Sequence, residues 1–184
     1  MTTILAVSGS LRSQSSNTRL VQAIAGLAPP GIKVEIYNGI AQLPHFNPEL
    51  EGEPDLVAVE QWRTQLQAAD GVLFCTPEYA HGVPGTLKNA LDWIVSSGEF
   101  MHKPTAVISA SPSPDGGDKA NASLVQTLRV MMADIQEEAI LCIPAISAKI
   151  NAEGKLTDTS TEIALRSVLQ ALIPEEDCIF SLDS

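Results

Sequence analysis

The sequence predicts a doubly wound α/β fold, in which a parallel sheet carries helices on both faces. Two observations carry that prediction: five short runs rich in Ile, Val and Leu, and longer segments of helical apolar spacing lying between them. Strands alternating with helices need right-handed crossovers, and a parallel sheet sandwiched between helices accommodates them.

The five runs are "TILAVS" (3–8), "KVEIYN" (33–38), "GVLFCT" (71–76), "TAVISA" (105–110) and "EAILCI" (138–143). Four of them are nearly continuous apolar stretches, as strands buried on both faces are. Between them, stripes fall on single helix faces. These are Leu20, Ile24 and Leu27; Leu56, Val59, Trp62 and Leu66; Leu87, Ala90, Leu91, Ile94 and Val95; and Leu124, Leu128, Met131 and Ile135. A last stripe holds Leu165, Val168, Leu169 and Leu172, and Thr159 with Glu162 predicts a capping box at its start. Trp62, Met131 and Met132 are expected in the core.

A chain of 184 residues suffices for one core, so one domain over residues 1–184 is expected. Apolar residues make up 45% and charged ones 18%, the balance of a soluble globular protein. Acidic residues outnumber basic ones 22 to 11, with no basic cluster, which argues against nucleic acid as a partner. Cys75, Cys142 and Cys178 have neither disulfide-framework nor zinc-site spacing and read as reduced thiols. No apolar run approaches membrane-spanning length, and "MTTILAVSGS" breaks too early for a signal peptide. The expected location is the cytoplasm, with no membrane partner and no metal.

Ligands of doubly wound folds bind beyond the carboxyl ends of the strands, where strand order reverses. The loops after the first, third and fourth strands are therefore the candidates. The first, "SGSLRSQSSNTRL" (8–20), leads hydroxyls into a helix whose free N–H groups and partial positive charge suit a phosphate. It has neither G-x-G-x-x-G nor G-x-x-x-x-G-K-[ST], and no cysteine for a phosphatase nucleophile. Two readings stay open: a monophosphate site with Arg12, or a turn that caps the helix through Asn17.

The second loop opens "TPEYAHGVPGTLKNALDW" (76–93). Pro77 ends the strand, Gly82 and Gly85 permit unusual backbone angles, and Pro84 stiffens the approach to the helix. That path should expose N–H groups to the crevice, where a flat heterocycle packs against Tyr79. His81 reads as a solvent-facing loop histidine or as a proton source or substrate contact, and Glu78 as a helix-cap or interface contact or as a catalytic acid. The third loop is "SASPSPDGGDKAN" (109–121); the proline-rich stretch 39–55 is expected to be a lid or a partner contact.

Together these motifs resemble the NADPH-dependent FMN reductase family, which includes flavin, quinone, chromate and azo-dye reductases. The resemblance covers roughly residues 3–145. It implies a flavodoxin-like five-stranded sheet of order 2-1-3-4-5, bound FMN, NADPH or NADH as co-substrate, and a small-molecule electron acceptor. It also implies a homodimer or homotetramer, with the 39–55 stretch and the helix from Thr86 near the interface. Carried over by residue, Ser10, Arg12, Ser15, Asn17 and Thr18 hold the FMN phosphate, with Ser16 an alternative to Ser15. Pro77, Glu78, Tyr79, Ala80 and Gly82 line the isoalloxazine edge, and Ser111, Gly116 and Gly117 flank its other side. Where the family usually has Asn after the Tyr, this chain has Ala80 and then His81.

Hydride transfer between nicotinamide and flavin is the cofactors' own chemistry, so no obligatory catalytic side chain is expected. Ping-pong kinetics follow from one shared site. Two other functions fit the same fold: a flavodoxin-type electron carrier, which rapid NADPH oxidation would exclude, and a flavin-less scaffold, which would be colourless.

Overall fold

Side chains along a strand alternate between faces, so each central apolar run feeds two cores at once. The computed structural model describes residues 1–173. In chain order its elements are β1 (Thr2–Ser8), α1 (Ser16–Leu27), β2 (Ile32–Tyr37), α2 (Val57–Ala68) and β3 (Gly71–Thr76), followed by α3 (Gly85–Asp92), β4 (Thr105–Ala110), α4 (Asp118–Val130), β5 (Ile140–Ile143) and α5 (Thr159–Gln170). The strands form one parallel sheet in the order β2-β1-β3-β4-β5, as expected.

On one face Leu5, Val7, Phe74 and Val107 pack with Trp62, Leu87, Leu91 and Leu124 from α2, α3 and α4. On the other, Ile4, Ala6, Leu73 and Ile108 pack with Leu20, Ile24, Leu165 and Leu169 from α1 and α5. Trp62 is fully buried, and its indole N–H donates to the Ala90 carbonyl at 2.9 Å, which offsets the cost of burying that donor. β2 is an edge strand whose Lys33 and Glu35 are exposed and paired, which explains why its run alternates.

Several boundaries differ from the sequence expectation for identifiable reasons. β5 begins only at Ile140, because Glu137–Ala139 forms a 3-10 turn. α3 stops at Asp92; Ile94 is buried in the turn that follows, whereas Val95 points to solvent. α4 ends at Val130, so Ile135 lies outside it, and Met132 takes a left-handed φ of 65° and is half-exposed. Of the methionine pair only Met131 joins the core. α5 is capped by Asp158, not by a Thr159 box: its carboxylate accepts the Ser160 and Thr161 hydroxyls and the Thr161 N–H. Those bonds favour the ionised form and push its pKa down to about 2. Glu162 pairs instead with Arg166, one turn on.

The 39–55 stretch is a strap fastened along α3. The Pro44 carbonyl accepts the Trp93 indole N–H at 2.8 Å and the Asn89 amide at 2.9 Å, and Phe46 meets the Trp93 ring edge-on. Cys75 and Cys142 are free thiols; Cys178 lies outside the described residues. Among the described residues no helix is long and apolar enough to cross a membrane, and no metal-ligand cluster occurs.

Register levels the sheet where it matters: Ser8 pairs with Cys75 and Thr76 with Ser109. The carboxyl ends of β1, β3 and β4 therefore lie side by side, and the strand order reverses at β1.

Candidate active site

Hydroxyls close the first loop through local turns. The Ser8 hydroxyl accepts the Ser10 N–H, the Ser10 hydroxyl accepts the Arg12 N–H, and Ser8 and Thr18 share a hydrogen bond of 2.9 Å. Ser15 is the N-cap of α1, its hydroxyl accepting the Asn17 N–H. Asn17 is therefore not the cap the sequence suggested. Its buried carboxamide donates to the Ala110 carbonyl at 3.1 Å and accepts the Cys75 thiol at 3.2 Å, tying α1 to the ends of β3 and β4. Burial raises the Cys75 thiol pKa far above its ordinary value, so it stays protonated as the donor. Among the described residues the N–H groups of Ser13, Gln14, Ser16 and Thr18 have no acceptor. Unpaired donors at a helix start, beside exposed Arg12, suit an anion.

The second loop places its unusual backbone where the sequence did not. Tyr79 and Gly82 exchange backbone hydrogen bonds of 3.1 and 3.0 Å, closing a two-residue hairpin turn. Its central residues are Ala80 at φ 49° and His81 at φ 61°, while neither Gly82 nor Gly85 is left-handed. Such turns favour Asn-Gly, because a left-handed residue with a Cβ costs about 1–2 kcal/mol. The Tyr79 and Gly82 N–H groups, expected to face the crevice, are consumed by the turn. Those of Glu78, Ala80 and His81 have no acceptor among the described residues.

Glu78 joins the second loop to the third. One carboxylate oxygen accepts the Ala120 N–H at 2.9 Å, and the other lies 3.3 Å from His81 Nδ1. The N-cap of α4 is Gly117, at φ 83°, which has no side chain to satisfy the helix's free N–H groups. Glu78 supplies that acceptor from another loop, so the helix-cap reading describes its observed contact. Gly116 is also left-handed, and a Cβ there would lie 2.9 Å from the backbone of Ile143 and Pro144. Gly116 thus packs against the chain leaving β5, and it is Gly117 that adjoins Glu78 and Ser109.

The three loops meet in one cleft. Arg12, Ser15, Ser16 and Asn17 line it from the first, Pro77, Glu78 and Tyr79 from the second, and Ser111 from the third. A second, more apolar cleft of ≈ 400 Å³ shares Arg12 and Tyr79 with it and extends over Leu11 and Pro84. That volume falls among small-molecule sites of roughly 300–1,000 Å³. Ser10, Thr18, Ala80, Gly82 and Gly116 line neither cleft, and neither does the 39–55 strap. Sequence reasoning missed Leu11 and Ile146 as lining residues. An exposed leucine inside a hydroxyl-rich loop is a readable signal for the first; Ile146, after β5, has none.

The family model described as NADPH-dependent FMN reductase matches residues 2–144. The chain belongs to that family. This family member is 36% identical to an NAD(P)H-dependent FMN reductase of Pseudomonas aeruginosa over 171 residues, 92% of each chain. It is 34% identical to a quinone reductase of Pseudomonas putida, over 92% of this chain and 90% of the other. Its structure matches the flavoenzyme NAD(P)H:(acceptor) oxidoreductase of Paracoccus denitrificans with a TM-score of 0.84 and 29% identity, covering 94% of this chain and 95% of that one. The FMN reductase family member described here is accordingly an FMN-dependent NAD(P)H oxidoreductase of flavodoxin-like fold. Its donor set suits that cofactor: unpaired N–H groups and hydroxyls for a phosphate, with Tyr79 lining the same cleft.

Proposed function

We propose that the protein oxidises NAD(P)H and passes the electrons to quinones, flavins or similar small acceptors by ping-pong at one crevice. The observation that carries this reading is the single cleft shared by three loops at the reversal of strand order. The relatives named quinone reductases support a small-molecule acceptor.

Arg12, Ser15 and Ser16, with the unpaired N–H groups at the start of α1, would hold the FMN phosphate. Ser10, Asn17 and Thr18 keep that start in place through the Arg12, Ala110 and Ser8 contacts. Pro77, Glu78 and Tyr79 would meet the ring edge and Ser111 would bound its far side, while Ala80 and Gly82 act through the turn that carries Tyr79 and Gly116 and Gly117 through the third loop's backbone. FMN, when bound, supplies hydride acceptance and donation; the chain's task is to bind, orient and shield the reacting rings. From the acidic, thiol-bearing composition and the family we place the protein in the cytoplasm, as a homodimer or homotetramer.

The test is a visible spectrum of the purified protein, followed by anaerobic NADPH and then a quinone. A flavin band that bleaches and returns, with parallel double-reciprocal lines in steady state, is the expected result. Protein that is colourless and takes up no FMN overturns the reading. Bound FMN that NADPH does not reduce favours an electron carrier.

A further inference from the structure

Glu78 and His81 form a carboxylate–imidazole pair at the rim of the crevice, and the imidazole has no packing task there. We propose that His81 donates the proton that a quinone-type acceptor needs, with Glu78 as its positioning residue. The proposal rests on the function read above and deepens it.

The geometry comes first. Glu78 is nearly buried, its side chain 15% exposed, and is anchored by the Ala120 N–H, so the oxygen facing His81 has a fixed position. With Nδ1 3.3 Å from that oxygen, Nε2 is the nitrogen left for a ligand. The His81 side chain is 84% exposed, beside Tyr79, and lines neither cleft. So exposed, the ring is open to a molecule that arrives from solvent.

The backbone supports the same assignment. His81 and Ala80 are both left-handed, a conformation that glycine would adopt without strain. Strained residues persist where their surroundings impose them, and they gather at functional sites. Here the strain presents an imidazole beside a fixed carboxylate.

The other charged groups nearby are poorly suited to the task. Arg12 holds its protons permanently. Glu78 spends one oxygen on the Ala120 N–H, and its other lies 3.3 Å from His81 itself. Lys119, in the first turn of α4, is bonded to Asp118, and that bond, with the charges of Asp118, Asp115 and Glu78, raises its pKa. Imidazole is the side chain that gains and loses a proton near neutral pH.

The step balances. A quinone takes a hydride, which is two electrons and one proton, from the reduced site, and the remaining oxyanion takes one more proton. The Nε2–H bond of the imidazolium breaks, an O–H bond forms, and His81 is left neutral, to be reprotonated by water. The net reaction is NAD(P)H plus a proton plus quinone giving NAD(P)⁺ plus hydroquinone.

The test uses holoenzyme reduced by NADPH and reoxidised in stopped flow by 1,4-benzoquinone or by ferricyanide, which takes electrons without protons. His81→Asn keeps a side chain that tolerates the left-handed backbone. It should slow reoxidation by the quinone at least about tenfold, below the ~10²–10⁴ of buried general acids because water reaches the site. It should also flatten the wild-type decline of that rate with rising pH, and leave NADPH and ferricyanide rates within about twofold.

The NMR chemical shifts of the His81 ring are a readout independent of turnover, and they should move in Glu78→Gln, which changes the group lying 3.3 Å from Nδ1. Unmoved ring shifts, an unchanged quinone rate, an equal loss with ferricyanide, or a larger loss in Tyr79→Phe would each overturn the proposal. Wild-type protein that takes up no FMN defeats the function itself, and the proposal with it; reduction by NADPH with an unchanged His81→Asn quinone rate defeats the proposal alone.

Discussion

The loops after β1 and β3 meet at the same cleft and are held by opposite means. Between Gly9 and Thr18 no residue is left-handed; hydroxyl–backbone bonds and the Ser15 cap shape a relaxed path. Between Pro77 and Gly82 the turn forces two residues with side chains into the left-handed region, and a single carboxylate fastens it to α4. The first loop spends polar side chains on its own backbone and leaves donors for a ligand. The second stores strain and presents Tyr79 and His81 outward.

If this contrast is right, the largest effect belongs to the residue that fixes the relaxed loop to the sheet. Asn17→Ala leaves the Ala110 carbonyl and the Cys75 thiol without their buried partner. Stability should fall by about 2 kcal/mol, within the range of about 1–3 kcal/mol for stranding buried hydrogen-bonding groups. Urea unfolding measures it. A loss below about 0.5 kcal/mol, the usual size of a surface substitution, would mean that the hydroxyl turns alone hold the loop.

Glu78→Ala comes next. It removes a charge-assisted acceptor from the start of α4, and caps of this kind are worth about 0.5–2 kcal/mol. A loss near 1.5 kcal/mol is expected, with faster amide exchange at Ala120. Glu78→Gln, which keeps an acceptor without the charge, should recover about half of it. Equal losses in the two variants would show that the charge, and not the cap, matters.

These two residues also mark where sequence reading stops. The strands were legible because burial on both faces demands unbroken apolar runs, and the helices because one buried face demands a stripe. Hydroxyls before α1 likewise marked the first loop. The roles of Asn17 and Glu78 were not legible in the same way. Ser15 and Asn17 are equally good local caps, and only partners 93 and 58 positions away, Ala110 and Cys75, assign Asn17 elsewhere. Glu78 reads as a cap contact, but its helix begins some forty residues later, and the bond to Ala120 spans 42 positions. Glycine drew attention to positions 82 and 85, yet the hairpin hydrogen bonds between Tyr79 and Gly82 fix the strain at 80 and 81.

The smallest effect tests that last point most directly. Ala80→Gly should release about 1–2 kcal/mol of left-handed strain while adding about 0.5–1 kcal/mol of unfolded-state entropy. A net gain of about 0.5–1 kcal/mol in urea unfolding, with unchanged m-value, is expected. Gly82→Ala is the matched change: position 82 has no left-handed φ, and an added Cβ would sit 3.7 Å from the Tyr79 carbonyl oxygen, an ordinary contact. It should stay within about 0.5 kcal/mol of wild type. If Gly82→Ala destabilises and Ala80→Gly does not stabilise, the turn's freedom lies with its glycine after all, and the two loops differ in composition but not in strain.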